Sequence, residues 1–398
     1  MITKKHIPNL LYGLPVFIIA CLSFTTEGGK HLISRTIVAL TVISFIYYRE
    51  NIKENLSCIT IRKYIISLIA MASIFTIYTI VRGEPFSMPR TLYLSALYMI
   101  ITPWSKVNLP LFKNIIIAGG VACGSLAIYE RFFLGIDRVG AVVNQIPFAT
   151  YAGMTLIIAL CFYKKRNTIT AHCLYLASII GSLLAIILSE TRGVWLAMIG
   201  LLALYFVRKM IRDFSLKALS VAILLLVISG VIFSSIPTVQ QRFAETKHEL
   251  TEIQSGNLNS SWGVRIQLWK TAIQAIESQP FFGVGTIGWK QLVDNNVKLG
   301  KLTATIGDYG FANSHAHNQF LDSYMRFGII GVFISALFIC MPLLTYNGLE
   351  NSCIKIYIPA FLLLCGFSDV PLFHTGLIYM IALYPFIIAI NSKQQMER

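Results

Sequence analysis

The sequence predicts an all-α integral membrane protein with about twelve transmembrane helices and one large loop outside the membrane. Of the 398 residues, 56% are hydrophobic and only 13% are charged, whereas soluble domains carry about 25% charged residues. Apolar runs recur along the whole chain, and many approach the roughly 20 residues that a helix needs to cross a bilayer. One polar stretch, residues 237–326, interrupts them before the last three runs. These observations exclude a soluble globular protein and a disordered one.

The apolar runs define twelve candidate spans. They cover residues 8–24, 33–48, 64–81, 91–104, 111–129, 143–163, 172–189, 193–207, 218–236, 327–344, 355–370 and 377–391. Spans four, eight and twelve are short for a bilayer crossing, so their ends are the least defined. The flank of the first span, Thr25–Lys30, lacks a small-residue cleavage pattern, so we expect this span to be retained.

The distribution of Lys and Arg predicts the orientation. If the N-terminus is cytoplasmic, the short cytoplasmic segments carry 18 of the 33 basic residues and the short outer segments carry 7. Because basic residues concentrate on the cytoplasmic side, both termini are expected there and residues 237–326 outside. The predicted parts are nine spans in 1–236, an outer loop domain in 237–326, and three spans with a cytoplasmic C-terminus in 327–398. The net charge of +15 then reflects cytoplasmic loops and contact with anionic lipid or phosphate rather than nucleic acid.

The outer loop is predicted to be helical. Its expected helices are Thr238–Ser255, the amphipathic Ser260–Ser278, Trp289–Leu299, and one that begins with Ser314 as N-cap and continues into span ten. Gly283, Gly285 and Gly288 form a G-x-G-x-x-G pattern, but no strand precedes it, so a tight turn between helices is favoured over a dinucleotide site. The eight cysteines contain no C-x-x-C pair, which argues against a disulfide framework and a zinc knuckle.

Arg192 lies in the very short link between spans seven and eight. One interpretation is a polar turn whose arginine reaches the interface. The other is an arginine held rigidly at the outer mouth of the bundle, since ionisable residues so close to the bilayer are costly and tend to serve a site. A guanidinium there suits phosphate oxygens, which it can bind in a bidentate manner.

Further polar candidates fall on the same outer face in this topology. Arg265 lies on the amphipathic loop helix, where the alternative is a helix lying on the lipid surface. Arg138 follows span five, and Asp369 lies in the last outer link. Each alone is also compatible with an ordinary loop residue. Their shared side with Arg192 and His317 favours a common site.

His317 belongs to a His-Ala-His-Asn sequence at the expected start of a helix. The His315–His317 pair resembles a metal motif, but on a helix positions i and i+2 point about 200° apart. We therefore expect no metal there, and we expect His315 to point away from the site. An imidazole with a pKa near about 6.5 can serve as a general base at neutral pH. The alternative is a capping or surface histidine.

Taken together, the layout and motifs of the chain resemble the O-antigen ligase family, within the superfamily that also holds O-antigen polymerases and O-linked oligosaccharyltransferases. The matching features are Thr191-Arg192-Gly193 before an apolar span, Arg265 in the loop helix, Pro280 followed by Gly283-Val284-Gly285, His317-Asn318 leading into span ten through Gly328 and Gly331, and, less closely, Phe367-Ser368-Asp369-Val370. About twelve spans with one large periplasmic loop before the last three complete the likeness, which implies a glycosyltransferase-C-like architecture.

The resemblance implies a function at the bacterial inner membrane with the active site facing the periplasm. Such ligases transfer O-antigen polysaccharide from an undecaprenyl-diphosphate carrier to a sugar hydroxyl of lipid A-core, without metal or nucleotide sugar and with inversion. It implies that His317 is the base and that Arg192 and Arg265 stabilise the leaving diphosphate. Arg138, Asn318 and Asp369 are the implied substrate-binding residues.

Two other classes stay open at this point. A polymerase that joins repeat units and an oligosaccharyltransferase that acts on protein share the motifs, so the acceptor distinguishes them. A transporter or flippase is the more distant alternative, because twelve spans is a common count. Transporters tend to show repeated halves with sites at the midplane, whereas the charged candidates here lie at the outer face.

Overall fold

The computed structural model describes residues 6–163, 168–212, 220, 230, 234–344 and 352–396. Within these ranges every regular element is a helix, which confirms the predicted all-helical class. The helices are α1 (Ile7–Phe17), α2 (Gly29–Tyr47), α3 (Arg49–Ser57), α4 (Ile59–Arg82), α5 (Ser87–Ile101), α6 (Leu109–Ile128), α7 (Gln145–Phe162), α8 (Ile169–Leu188), α9 (Arg192–Arg212), α10 (Pro237–Gln254), α11 (Ser261–Ser278), α12 (Gly285–Lys298), α13 (Ala304–Asp308), α14 (Gln319–Ile339), α15 (Ser352–Gly366) and α16 (Thr375–Met396).

Seven of these helices are long and apolar enough to cross a membrane: α2, α4, α6 with its π-helical extension to Phe133, α7, α8, α9 and α14. Three apolar helices are shorter, Ile7–Leu22, Cys353–Gly366 and Thr375–Ile390. The fourth predicted span corresponds to α5, which has 15 residues. The ninth, 218–236, falls largely outside the described residues. The chain is thus a multi-helix protein with several membrane-spanning candidates, and the count of twelve stays a prediction.

The bundle is built around α7 and α16. Of the most apolar 18-residue stretch of α7, 78% is buried, and residues 381–389 of α16 are all buried. Around them, α6 and α8 pack so closely that a Cβ on Gly124 would lie 2.3 Å from the Cα of Gly181. Ser178 also donates a hydrogen bond to the carbonyl of Ile117, at 2.6 Å across this contact. Small residues that allow backbones to approach, with hydroxyl bonds between helices, are typical of membrane helix packing.

The loop segment, residues 237–326, has a small apolar core of its own. α10, α11 and α12 confirm three of the four helices expected there, and the Ser260 hydroxyl caps α11 by accepting a hydrogen bond from the Gly263 N–H at 3.2 Å. Leu268, Trp289 and Ile306 are fully buried in this core. The segment is therefore a folded unit that can position side chains over the bundle.

The expected helix start at Ser314 is wrong. α14 begins at Gln319, because the Asn318 side chain accepts hydrogen bonds from the N–H groups of Phe320 and Leu321 at 3.0 and 3.1 Å. The helix is also broken at Gly328, where φ is 66°. A Cβ at this position would lie 2.1 Å from the carbonyl oxygen of Phe281. The break thus provides the place where the glycine-rich turn of the loop segment docks.

Candidate functional site

The segment that precedes α14 is an irregular loop held by hydrogen bonds from three directions. The N–H of Ala316 donates to Asp322 at 3.2 Å, and its carbonyl accepts from the indole of Trp269 at 2.9 Å. Arg326 donates to the carbonyl of Ser314 at 3.0 Å. His317 adopts a left-handed backbone conformation with φ of 50°. Because the segment is not helical, the reasoning that separates His315 from His317 by about 200° does not apply, and that expectation is wrong.

Three histidines surround the buried carboxylate of Asp369. The nitrogen atoms that face it are His317 Nδ1 at 3.7 Å, His315 Nε2 at 3.8 Å and His374 Nε2 at 3.9 Å. The rings of His315 and His317 are 4.4 Å apart between centroids. The side chain of Asp369 is 5% exposed and that of His317 is 19% exposed. We call these four residues the histidine cluster.

The environment of the histidine cluster sets its charges. Burial alone would raise the pKa of Asp369, but the three histidines outweigh it and lower this pKa to about 2. Burial lowers the pKa of His315 to about 4, and burial also lowers the pKa of His374. Near neutral pH, the cluster therefore contains an ionised carboxylate beside two neutral histidines.

Hydrogen bonding defines the tautomers. The backbone N–H of His317 donates to His315 Nδ1 at 3.2 Å, so the neutral His315 ring carries its proton on Nε2, towards Asp369. His317 Nδ1 is buried 3.7 Å from the same carboxylate, a separation too long for a hydrogen bond, and the negative charge there favours the tautomer with the proton on Nδ1. The lone pair of His317 is then on Nε2. The arrangement resembles that of a base beside a carboxylate, whose negative charge stabilises the imidazolium that forms when the base takes a proton.

The same cluster is the described group that most resembles a metal centre. Ligand atoms of His315, His317 and Asp369 all lie within 4.8 Å of one another. However, His315 Nδ1 already accepts the His317 N–H, so Nε2 holds the proton and lacks a lone pair for a metal. Ligation would require this hydrogen bond to break. The residues therefore fit an oriented base better than a metal site.

Arg265 projects from α11 into the neighbourhood of the cluster. Its guanidinium lies 5.5 Å from the ring centroid of Trp262. Burial lowers the pKa of Arg265, while the nearby carboxylates of Asp369 and Glu249 raise it. The structure gives Arg265 no hydrogen bond or ion pair to any other described residue. It is thus a half-buried cation without a fixed polar partner.

Arg192, the first residue of α9, is by contrast fully engaged. It donates to the hydroxyl of Thr246 and to a carboxylate oxygen of Glu249, both at 2.7 Å and both on α10. The two charged side chains are 20% and 13% exposed. The second oxygen of Glu249 is buried without a hydrogen bond partner. The polar-turn interpretation and the rigid-arginine interpretation therefore both capture part of the geometry, because the tight turn aims this guanidinium at the loop segment.

Arg138 belongs to the same group of charges. Desolvation and then the positive charges of Arg242 and Arg192 lower its pKa, while Glu190 acts in the opposite direction. Arg242 of α10 pairs with Glu190 at 3.0 Å, and Glu190 adopts a left-handed φ of 55° in the turn before Arg192. Two ion pairs thus tie α10 to this turn.

Asn318 serves the fold in this structure. Its carbonyl oxygen caps α14, and its amide nitrogen donates to the carbonyl of Phe367 at 3.3 Å. That contact joins the histidine-bearing loop to the link that carries Asp369. A substrate-binding role for Asn318 stays a prediction.

Electrostatic interactions connect the five charged or basic residues singled out in the sequence. The charge of Arg192 lowers the pKa values of Arg138 and Arg265, and the charge of Asp369, which lies beside His317, raises the pKa of Arg265. Sequence reasoning noticed His315 in the His-x-His pair but excluded it, and it gave no role to His374 or Glu249. The proximity of His374 to Asp369 along the chain was a signal, whereas the position of Glu249 depends on how the loop segment folds.

Comparison with known proteins gives a family match over part of the chain. Residues 176–336 match the family model described as O-antigen ligase. An uncharacterised protein of Haemophilus influenzae is 24% identical over 267 residues, covering 63% of this chain and 65% of that relative. The chain thus aligns with slightly less than two thirds of that relative's length. Over residues 176–336, which include Arg192, Arg265 and His317, the chain therefore matches the O-antigen ligase family, as its motifs predicted.

Proposed function

We propose that the protein is an O-antigen ligase that transfers undecaprenyl-diphosphate-linked O-antigen to a sugar hydroxyl of lipid A-core on the periplasmic side of the inner membrane. The observation that carries this proposal is the partly exposed His317, oriented by Asp369 and close to the unpaired cation Arg265. Glycosyl transfer from a diphosphate carrier needs a base for the acceptor and cations for the leaving group. His317 and Arg265 can supply these two kinds of group, and both lie near Asp369.

The proposed reaction is a single inverting displacement. His317 Nε2 takes the proton of the acceptor hydroxyl as the oxygen attacks the anomeric carbon. The new carbon–oxygen bond forms while the bond from that carbon to the diphosphate oxygen breaks. Asp369 stabilises the imidazolium that results, and the electron pair leaves with undecaprenyl diphosphate. Because attack is opposite the leaving group, the anomeric configuration inverts.

Arginines provide the charge that a metal ion supplies in other diphosphate enzymes. Arg265 has no fixed partner and can bind phosphate oxygens directly. Arg192 can bind them after exchange with Glu249, and Arg138 adds positive potential. Stabilising the charge that develops on the leaving group is often the largest catalytic contribution. This supports a metal-independent mechanism.

The acceptor experiment separates ligase from polymerase. In cells that lack the protein, a ligase defect removes every capped lipopolysaccharide band while carrier-linked polymer is retained. Capping with single repeat units instead identifies a polymerase, and loss of glycan from a protein identifies an oligosaccharyltransferase. Reconstitution of the purified chain with carrier-linked polymer and lipid A-core, which yields capped lipopolysaccharide only for a ligase, tests the same point in vitro.

The proposed topology predicts that a cysteine at Gln254, an exposed residue at the end of α10, reacts with an impermeant maleimide in intact spheroplasts. Gln254 is preferable to Gly256, whose φ of 87° strains any side chain. The matched variant is Lys53→Cys on α3, 65% exposed and predicted to be cytoplasmic, which should react only after permeabilisation. Labelling of the protein without either substitution measures the background reaction of the native cysteines. The reverse pattern would contradict the topology and the periplasmic site.

The histidine cluster predicts that His315 positions His317. In His315→Leu the N–H of His317 loses its acceptor, and we expect the maximal transfer rate to fall by about 10–10²-fold, since small displacements of reacting groups have costs of this size. In His315→Asn the amide oxygen can accept the same N–H, so most of the rate should return. The donor KM should stay unchanged in both variants. Equal loss in both, or a change confined to KM, would contradict this role.

A further inference from the structure

We propose that Glu249 occupies, in the donor-free protein, the position on Arg192 that a phosphate of the donor takes, so that donor binding displaces Glu249 and loosens helix α10. This proposal rests on the proposed function, because it assumes a diphosphate ligand. Neither the family match nor the motifs assign a role to Glu249.

The hydrogen bonds of Glu249 are incomplete. One carboxylate oxygen accepts from Arg192 at 2.7 Å, but the other is buried without a partner. A buried acceptor without a hydrogen bond costs free energy. Arg265 lies close enough for the charge of Glu249 to act on it, yet the two make no ion pair. A single carboxylate is thus bonded to one guanidinium group and lies near enough to a second for its charge to act there.

A diphosphate suits this position better than a carboxylate. It carries more negative charge and more acceptor oxygens, and arginine binds phosphate in a bidentate manner. A phosphate at the place of the carboxylate can therefore bind Arg192 and Arg265 together. Glu249 in the same place would then be a like charge, so the two cannot be bound at once.

α10 is attached in a way that allows such an exchange. Of its 18 residues, only Val239 and Arg242 are buried. Its described polar contacts to the bundle are the Arg242–Glu190 pair and the bonds of Arg192 to Thr246 and Glu249. When Glu249 is displaced, Arg242 and Val239 at the start of the helix still hold it, and its second half is released. Segments with few buried apolar contacts open at low free energy.

The test compares Glu249→Gln with Glu252→Gln in the purified full-length protein. Both variants remove one negative charge from α10, and Glu252 lies less than one turn further on, where it bonds with Asn257 and not with Arg192. With farnesyl diphosphate as the probe, we expect Glu249→Gln to bind about 3- to 5-fold more tightly, since one such pair amounts to at most about a factor of five in affinity. Glu252→Gln should change the affinity less than about twofold. The second measurement is amide hydrogen exchange in α10, compared with that in α11, with and without the probe.

In the wild-type protein, farnesyl diphosphate should speed amide exchange in the second half of α10 and leave α11 unchanged. In Glu249→Gln that exchange should be fast already and insensitive to the probe. Any of three outcomes would overturn the proposal. These are an equal gain of affinity in the two variants, weaker binding of the probe by Glu249→Gln than by the wild-type protein, and amide exchange in α10 that does not change when the probe is added. If the reconstituted wild-type protein transfers glycan while any of these outcomes is found, only the role of Glu249 fails. If it transfers none, the proposed function fails whatever Glu249 does.

Discussion

His317→Asn is expected to lower the rate of glycan transfer by about 10²–10⁴-fold, the usual contribution of a general base. Binding of the carrier-linked donor should persist, because the proton leaves the acceptor only as the new bond forms. Asn is the preferred replacement since it tolerates the left-handed backbone that His317 adopts, with φ of 50°. The variant therefore removes the base while keeping the loop. The measurement is the single-turnover rate of the purified, reconstituted protein.

A matched control is His248→Asn on α10. The side chain of His248 is 76% exposed and lies 3.9 Å from Glu252, remote in the sequence from the histidine cluster. We expect this variant to transfer at the wild-type rate. Full activity of His317→Asn at equal abundance would refute the mechanism. A metal centre would be favoured instead if chelators inhibit the wild-type protein and if His315→Asn and His317→Asn lose glycan transfer to the same extent.

How far the sequence predicts this site depends on which interactions position each residue. Arg192, Arg265 and His317 stand in short motifs with a recognisable order along the chain, so the family resemblance suffices to select them. The predicted topology also puts these residues on the same side of the membrane as Asp369. The sequence pattern likewise predicts the bounds of α10, α11 and α12 to within four residues.

Motifs and periodicity do not predict the backbone path of the His315–Asn318 segment. Helix capping favours serine and asparagine alike, and Ser314 and Asn318 are both available. The choice between them is made by long-range contacts, in which Asp322 and Trp269 hold Ala316 and Arg326 holds Ser314. These contacts turn His315 towards His317. Periodicity carries no information about them, so the convergence of the histidines is visible only in three dimensions.

The pairing of Arg192 with Glu249 escapes the sequence for a similar reason. The two residues are 57 positions apart, and nothing local distinguishes Glu249 from the other acidic residues of α10. The structure therefore changes how the arginines are tested. A substitution of Arg192 disturbs an ion pair of the fold, whereas Arg265 has no such pair to lose.

Arg265→Lys is accordingly the cleaner test of leaving-group stabilisation, and we expect it to lower the transfer rate by about 10²–10³-fold, the effect of removing one group that stabilises transition-state charge. Lysine keeps the charge but cannot form the two parallel bonds of a guanidinium. The matched control is Lys270→Ala, which removes an exposed cation from the same helix and should leave the rate unchanged. Thermal unfolding of both variants should match the wild-type protein.

The transfer rate of Arg192→Lys should fall by a similar factor, but this variant also weakens the contact with α10. Combining it with Glu249→Gln separates the two effects, because the double variant has no carboxylate left to satisfy. If Arg192 binds the diphosphate, the double variant remains slow although the buried charge is gone. If the rate returns to that of Glu249→Gln alone, Arg192 serves only to hold α10. Leaving-group stabilisation would then come from Arg265 with the added potential of Arg138.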